Sequence, residues 1–160
     1  MRYLNMIRHT ILLVSLLSVS GAWIDLTAQT RSLVFSDEFS GATIDRSVWN
    51  FGTGLTNDNV HYYTDRVENA RLSGGVLQIV ARKESYNGYA FTSALLQTKN
   101  ALSWRYGRIE ARMKMPAGDG FVPAFWMMPA DDRCGWWPCS GEIDIMEYPS
   151  TEVNKIYGTA

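Results

Sequence analysis

After residue 33 the chain alternates apolar and polar residues in short runs broken by Gly, Asn, Ser and Pro, the pattern of β-strands joined by turns. Residues 33–39 alternate and end in acids, and 43–49 read as a turn followed by a short helix or strand with Trp49 in the core. Residues 52–59, rich in Gly, Thr and Asn, form a loop before the β-prone run 60–64. Residues 67–72 and 76–82 flank Ser73-Gly74-Gly75, a hairpin signal. Arg82 at the end of this hairpin is either a groove residue or half of a surface salt bridge. Tyr86-Asn87-Gly88-Tyr89 is a second turn, leading into a strand over 90–98. Residues 104–115 predict a long strand, with Ile109, Ala111, Met113 and Met115 on one side and Arg108, Glu110, Arg112 and Lys114 on the other. The apolar run 121–129 carries proline towards each end, and 155–159 starts a further strand. The predicted class is all-β.

Composition adds that the chain is globular: 160 residues, 46% hydrophobic and 19% charged, a balance sufficient for one core. Residues 1–22 read as a secretory signal, with Arg2 and Arg8 before the apolar stretch 11–19 and the small residues Ser20-Gly21-Ala22 at the cleavage point. Ala28 is a second cleavage candidate, and 23–32 form a lead without pattern. The apolar stretch is well short of the about 20 residues a membrane span needs. The mature protein is therefore expected to be secreted, periplasmic or on the cell surface, a monomer, and not membrane-embedded. Its formal charge of −1 becomes −3 once Arg2 and Arg8 are removed, and no basic run exists to neutralise a phosphate backbone. Nucleic acid is excluded as a partner, and a neutral polymer fits better. The only cysteines, Cys134 and Cys139, form a disulfide closing a small loop or remain two free thiols.

The densest chemistry lies in Glu142-Ile143-Asp144-Ile145-Met146-Glu147, three acids separated by apolar residues. In a regular strand Glu142 and Asp144 share a face and Glu147 falls on the other. One extra residue, a β-bulge near Ile145-Met146, brings Glu147 back beside them. Three carboxyl groups at short range cannot all ionise comfortably, so one is held protonated near neutrality. An ionised carboxylate beside a carboxylic acid is what retaining glycoside hydrolysis uses, with the two about 5–5.5 Å apart. The alternative for such a hexapeptide is a solvated acidic strand face.

The flanking residues extend this motif. Trp137-Pro138, then Ser140-Gly141-Glu142-Ile143-Asp144-Ile145-Met146-Glu147-Tyr148, resembles the signature of glycoside hydrolase family 16, and within it the bacterial laminarinases, endo-β-1,3-glucanases. Family members that cut mixed-linkage glucans usually lack the extra residue before the last Glu, so Met146 places the chain with the bulged branch. The resemblance implies that Glu142 is the nucleophile, Asp144 its helper and Glu147 the acid/base, with no cofactor in the reaction. It implies a jelly-roll β-sandwich, concanavalin A-like, with a concave glycan cleft. It covers 33–160, about half the length of a complete domain of that family, so the sequence reads as C-terminally truncated.

The same resemblance sets Asn57 in a loop over the sugar subsites, as a sugar ligand or a plain turn residue. Asn59, His61 and Leu95 depart from residues common in the family (Glu, Gln and Arg). Trp126 and Trp137 are candidates for stacking on pyranose faces, with Trp136 a weaker third and burial in the core the alternative for each. Glu38 is a weak candidate ligand for a structural calcium, against a solvated acid. The expected function is endo-hydrolysis of β-1,3-glucan with retention. A β-glucan-binding fragment without turnover and a transglycosylase of the same family are the alternatives.

Overall fold

The computed structural model describes residues 31–54, 60–131, 133–135, 137–152 and 154–160. The predicted signal segment 1–22, most of the lead, Asn57, Asn59 and Trp136 lie outside the described residues. The chain divides into two compact units, Met1–Ser36 and Asp37–Ala160. The described part of the first, 31–36, has no regular structure, and Leu33 and Val34 are exposed. Among the described residues no helix is long and apolar enough to cross a membrane.

The second unit is all-β, with ten strands among the described residues: β1 Asn50–Gly52, β2 Tyr62–Tyr63, β3 Ala70–Ser73, β4 Val76–Ile79, β5 Arg82–Tyr86, β6 Tyr89–Ser93, β7 Leu95–Gln97, β8 Ala124–Met127, β9 Ile143–Glu147 and β10 Tyr157–Thr159. They form the antiparallel pairs β1–β7 and β3–β4 and the three-stranded sheets β2–β6–β5 and β10–β9–β8. Both predicted hairpins are present. Gly74 and Gly75 turn β3 into β4 with φ of 63° and 72°, and Asn87 and Gly88 turn β5 into β6 with φ of 46° and 84°. Two consecutive residues at positive φ make the turn whose twist matches the strands, which is why Gly-Gly and Asn-Gly mark it.

Elsewhere the strands are shorter than the alternation suggests. Residues 66–69 form a turn, with the Asn69 and Ala70 amides donating to the Arg66 carbonyl at 3.0 Å, so β3 starts only at Ala70. The strand predicted over 76–82 ends at Ile79, and Arg82 opens β5 in a different sheet. The strand predicted over 90–98 is two strands, broken at buried Ala94, because β6 pairs with β5 and β2 while β7 pairs with β1. Residues 43–49 make a single turn closed by the Val48 and Trp49 amides on the Asp45 carbonyl. Trp49 is half-buried, its indole donating to Asp37 Oδ2 at 2.8 Å. The long strand predicted over 104–115 joins no ladder among the described residues; Ile109 and Met115 are half-buried, Met113 is exposed. Alternation reports two unlike faces, but a strand also needs a neighbour for its backbone groups.

Much of the burial is polar. Thr64, Asn69 and Thr92 are buried with Ala70 and Ala94, and Asn69 and Thr92 have no exposed surface. Asn69 Nδ2 donates to the Val80 carbonyl at 3.0 Å and to Thr92 Oγ1 at 2.9 Å, while its Oδ1 accepts from Arg66 at 3.0 Å and from Thr64. Arg66 and Thr92 both donate to Glu84, and the Arg66 guanidinium lies 4.4 Å from the Tyr86 ring centre. These bonds hold the Glu84 carboxyl below its ordinary range, the Thr92 hydroxyl first and Arg66 next. Hydrogen-bond partners offset the cost of taking these polar groups out of water, and this network joins the 64–69 turn to β5 and β6.

Candidate active site

The site is built on β9. Its partner β8 sets the register: Ala124 faces Glu147 and Phe125 faces Met146, then Trp126 faces Asp144 and Met127 faces Ile143. Ile145 is therefore the extra residue, and the bulge falls where the acidic hexapeptide predicts it. Ala124 and Trp126 are two apart on a strand and share a face, so their partners Glu147 and Asp144 share it too. The other neighbour agrees. In β10, Tyr157 faces Glu147 and Thr159 faces Asp144, leaving Gly158 alone opposite Ile145 and Met146. A Cβ at Gly158 would lie 3.5 Å from the Asp144 carbonyl oxygen, ordinary contact against the bulge.

Bonds beyond β9 hold this register. The Tyr148 amide donates to the Pro123 carbonyl at 3.1 Å. The Ser150 amide donates to the Phe121 carbonyl at 2.9 Å, while Ser150 Oγ accepts from the Phe121 amide at 2.8 Å. Met146, on the opposite face from the acids, is 6% exposed and is the best buried side chain of the strand. Sliding β9 by one residue would expose it and bury a carboxylate, so packing opposes the slip.

Glu142 precedes the strand directly, after Gly141 at φ 79°. Strand alternation sets it beside Asp144, and both Asp144 and Glu147 act on its charge. Burial is the largest influence raising the Glu142 pKa above its ordinary value of 4.5, followed by the Asp144 charge, a hydrogen bond with Asp144 and the Glu147 charge. A hydrogen bond from Trp137 acts in the opposite sense. A bond between two carboxyl groups needs one proton between them, and here it favours the protonated form of Glu142.

Trp137 belongs to the loop in front of the strand. Cys134 and Cys139 are joined by a disulfide, with Cα atoms 5.5 Å apart, and Ser140 Oγ donates to the Gly135 carbonyl inside the ring. The Gly141 amide donates to the Pro138 carbonyl at 3.0 Å. Trp126 and Trp137 are 37% and 63% exposed, so neither is spent as a core residue. Trp126, as the partner of Asp144, stands on the face that carries the acids. The influence of Trp137 on Glu142 is the feature that sequence reasoning misses: the indole registers there as a flat face, and loop residues have no period from which to read its direction.

Other sequence candidates lie apart from this cluster. Arg82 pairs with Glu84 at 3.6 Å, the salt-bridge reading of that residue. Leu95 lies over Gly52, where an added Cβ would come within 2.7 Å of Leu95 Cδ2. His61 stands edge-on to Tyr63 at 4.4 Å between ring centres; its Nε2 is buried without a hydrogen-bond partner, and burial pushes its pKa down. Glu38 is exposed, and among the described residues no three His, Cys, Asp or Glu side chains are grouped to hold a metal.

Comparison with known proteins agrees with this geometry. A β-glucanase from Rhodothermus marinus is 42% identical over 169 residues, covering 99% of this chain and 59% of the relative. Glucan endo-1,3-β-glucosidase A1 from Niallia circulans is 39% identical over 146 residues, covering 80% of the chain and 21% of the relative. The solved structure of the Rhodothermus marinus laminarinase superposes with a TM-score of 0.76 at 45% identity, covering 79% of this chain and 53% of that one. The chain thus spans at most about three-fifths of the length of these relatives. The all-β architecture is that of their jelly-roll sandwich. Residues 47–160 match the family described as glycosyl hydrolases family 16, and with the carboxylate cluster, the bulge and the fold in agreement, the chain belongs to that family.

Proposed function

We propose that this protein is an exported endo-acting β-1,3-glucan hydrolase that works with retention of anomeric configuration. The observation that carries the reading is the bulge at Ile145, which returns Glu147 to the face of Asp144 beside Glu142. The names of the relatives, β-glucanase, endo-1,3-β-glucosidase and laminarinase, support the substrate class.

In the proposed mechanism Glu147 protonates the glycosidic oxygen as the Glu142 carboxylate attacks the anomeric carbon. The bond to the leaving sugar breaks and a glycosyl ester forms on Glu142. Glu147, now ionised, takes a proton from water as the water attacks the same carbon, releasing Glu142 and restoring the acid. Asp144 hydrogen-bonds the nucleophile and helps set its charge. Trp126 and Trp137 present exposed indole faces to the pyranose C–H faces. Asn57 would add sugar hydroxyl contacts from its loop.

Reducing-end release from laminarin tests the reading. The wild-type chain is expected to release sugar, Glu142→Gln to release none, and added azide to restore turnover as a glycosyl azide. Glu147→Gln should lose roughly 10²–10⁴-fold on laminarin while sparing the first step on aryl glycosides with good leaving groups. Wild-type activity in Glu142→Gln, or equal losses on both substrates in Glu147→Gln, refutes the assignment. Binding of laminarin without any release would instead favour a glucan-binding role.

A further inference from the structure

The acid-bearing face of the β8–β9–β10 sheet carries two rows across its strands. Trp126, Asp144 and Thr159 lie opposite one another in the first, and Ala124, Glu147 and Tyr157 in the second. Residues directly opposite on antiparallel strands point to the same side, so Tyr157 stands beside Glu147 on the face of the acids. Its ring is 41% exposed and is held from one end. Tyr157 Oη donates to Glu152 Oε2 at 2.9 Å, and the same oxygen accepts from Lys155 Nζ at 2.6 Å. The Glu152 amide is tied in turn to the Pro149 carbonyl at 2.9 Å. The bonds from Lys155 and then Tyr157 hold the Glu152 carboxyl below its ordinary range, and the bond to Glu152 raises the Tyr157 phenol. The phenol therefore keeps its proton and spends it on Glu152, leaving an acceptor lone pair and an open ring face for a ligand. Glu152 lies in the connection that follows Glu147, so the tie draws the ring away from the Asp144 row.

We propose that Tyr157 binds the departing sugar: its ring takes the C–H face of that sugar, and its hydroxyl oxygen accepts from one of the sugar's hydroxyls. The proposal rests on the reading of Glu142 as nucleophile and Glu147 as acid/base. The nucleophile meets the anomeric carbon of the retained sugar, and the acid reaches the oxygen that joins it to the next one. Glu142 adjoins the Asp144 row, so the direction from that row to the Glu147 row runs from retained to departing sugar. Tyr157 is the aromatic side chain of the second row, and Trp126 that of the first. Neighbouring strands are about 4.8 Å apart, so the two rings stand about 10 Å apart across the sheet, on opposite flanks of the acids. A glucan chain lying over Asp144 and Glu147 then meets an aromatic face on each side of the bond that breaks.

The test compares laminarin with an aryl β-laminaribioside, whose aromatic leaving group puts no sugar beside Tyr157. Tyr157→Ala should lower kcat/KM on laminarin roughly threefold to tenfold, the worth of one ring contact, with a much smaller change on the aryl substrate. With the aryl substrate as donor and added laminaribiose as acceptor, the acceptor enters the place of the departing sugar. The variant should therefore form less transfer product for each hydrolysis event. Equal losses on the two substrates, or a laminarin rate and transfer ratio unchanged in Tyr157→Ala, overturn the proposal. A second reading needs no turnover and keeps Tyr157 in place. In the Glu142→Gln chain the Tyr157 ring resonances, identified by their loss in Tyr157→Phe, should shift when laminarihexaose is added; resonances that stay put overturn the contact. A ring that shifts, in a protein whose wild-type chain releases no sugar from laminarin, contradicts the proposed hydrolase and leaves the placement of Tyr157 standing.

Discussion

A carboxylate beside two others loses hydration and gains repulsion, and in Glu142 the loss of hydration is the largest single cause of the raised pKa. If Glu142 is the nucleophile we propose, it must be ionised to attack, and its raised pKa puts the acidic limb of kcat/KM higher than an isolated glutamate would. Asp144→Asn removes both a like charge and a carboxyl–carboxyl bond, each of which raises Glu142, so the limb should move to lower pH. The measurement is kcat/KM against pH for the variant and the wild type, and a limb that stays put or moves upward counts against the pairing. The acids themselves were legible in the sequence because strand alternation fixes which side chains share a face. The influence of Trp137 on Glu142 was not, since it depends on how a closed loop turns its backbone.

At the scale of the element, β9 shows a bulge read from a count. Five positions separate Glu142 from Glu147, an odd step that a regular strand would split across two faces, and the ladder inserts Ile145 to correct it. Deleting Ile145 makes the step even. Glu147 keeps Ala124 and Asp144 keeps Trp126 in an unbroken ladder, so the deletion should leave the three acids on one face and hydrolysis within roughly tenfold of wild type, taking about 1.4 kcal/mol as the tolerance for a small shift in geometry. Laminarin turnover of the folded deletion variant checks this, and complete loss would mean the bulge does more than restore the face. The hairpins at Gly74-Gly75 and Asn87-Gly88 were legible because positive φ selects those residues. The break at Ala94 and the absence of a strand ladder over 104–115 among the described residues were not, because both depend on which strand lies alongside. The packing of Asn69 and Thr92 was equally hidden, as buried polar residues follow partners from other elements.

Over the whole molecule, the lack of a basic run argued against a nucleic-acid partner and made a neutral polymer the better fit. The fold class followed from short alternating runs and turn residues, whereas the order of strands in each sheet did not, since parallel β2–β6 and the β1–β7 pair join segments distant in sequence. These sheets matter to function through one outcome, which is where they leave Glu142 and Glu147 relative to a sugar. The anomeric configuration of the product reports that directly. Proton NMR during the first minutes of laminarin hydrolysis should show the β-anomer of the new reducing end forming first, with the α-anomer growing in only as mutarotation proceeds. An α-anomer formed first would mean single displacement by water and would contradict a nucleophilic Glu142.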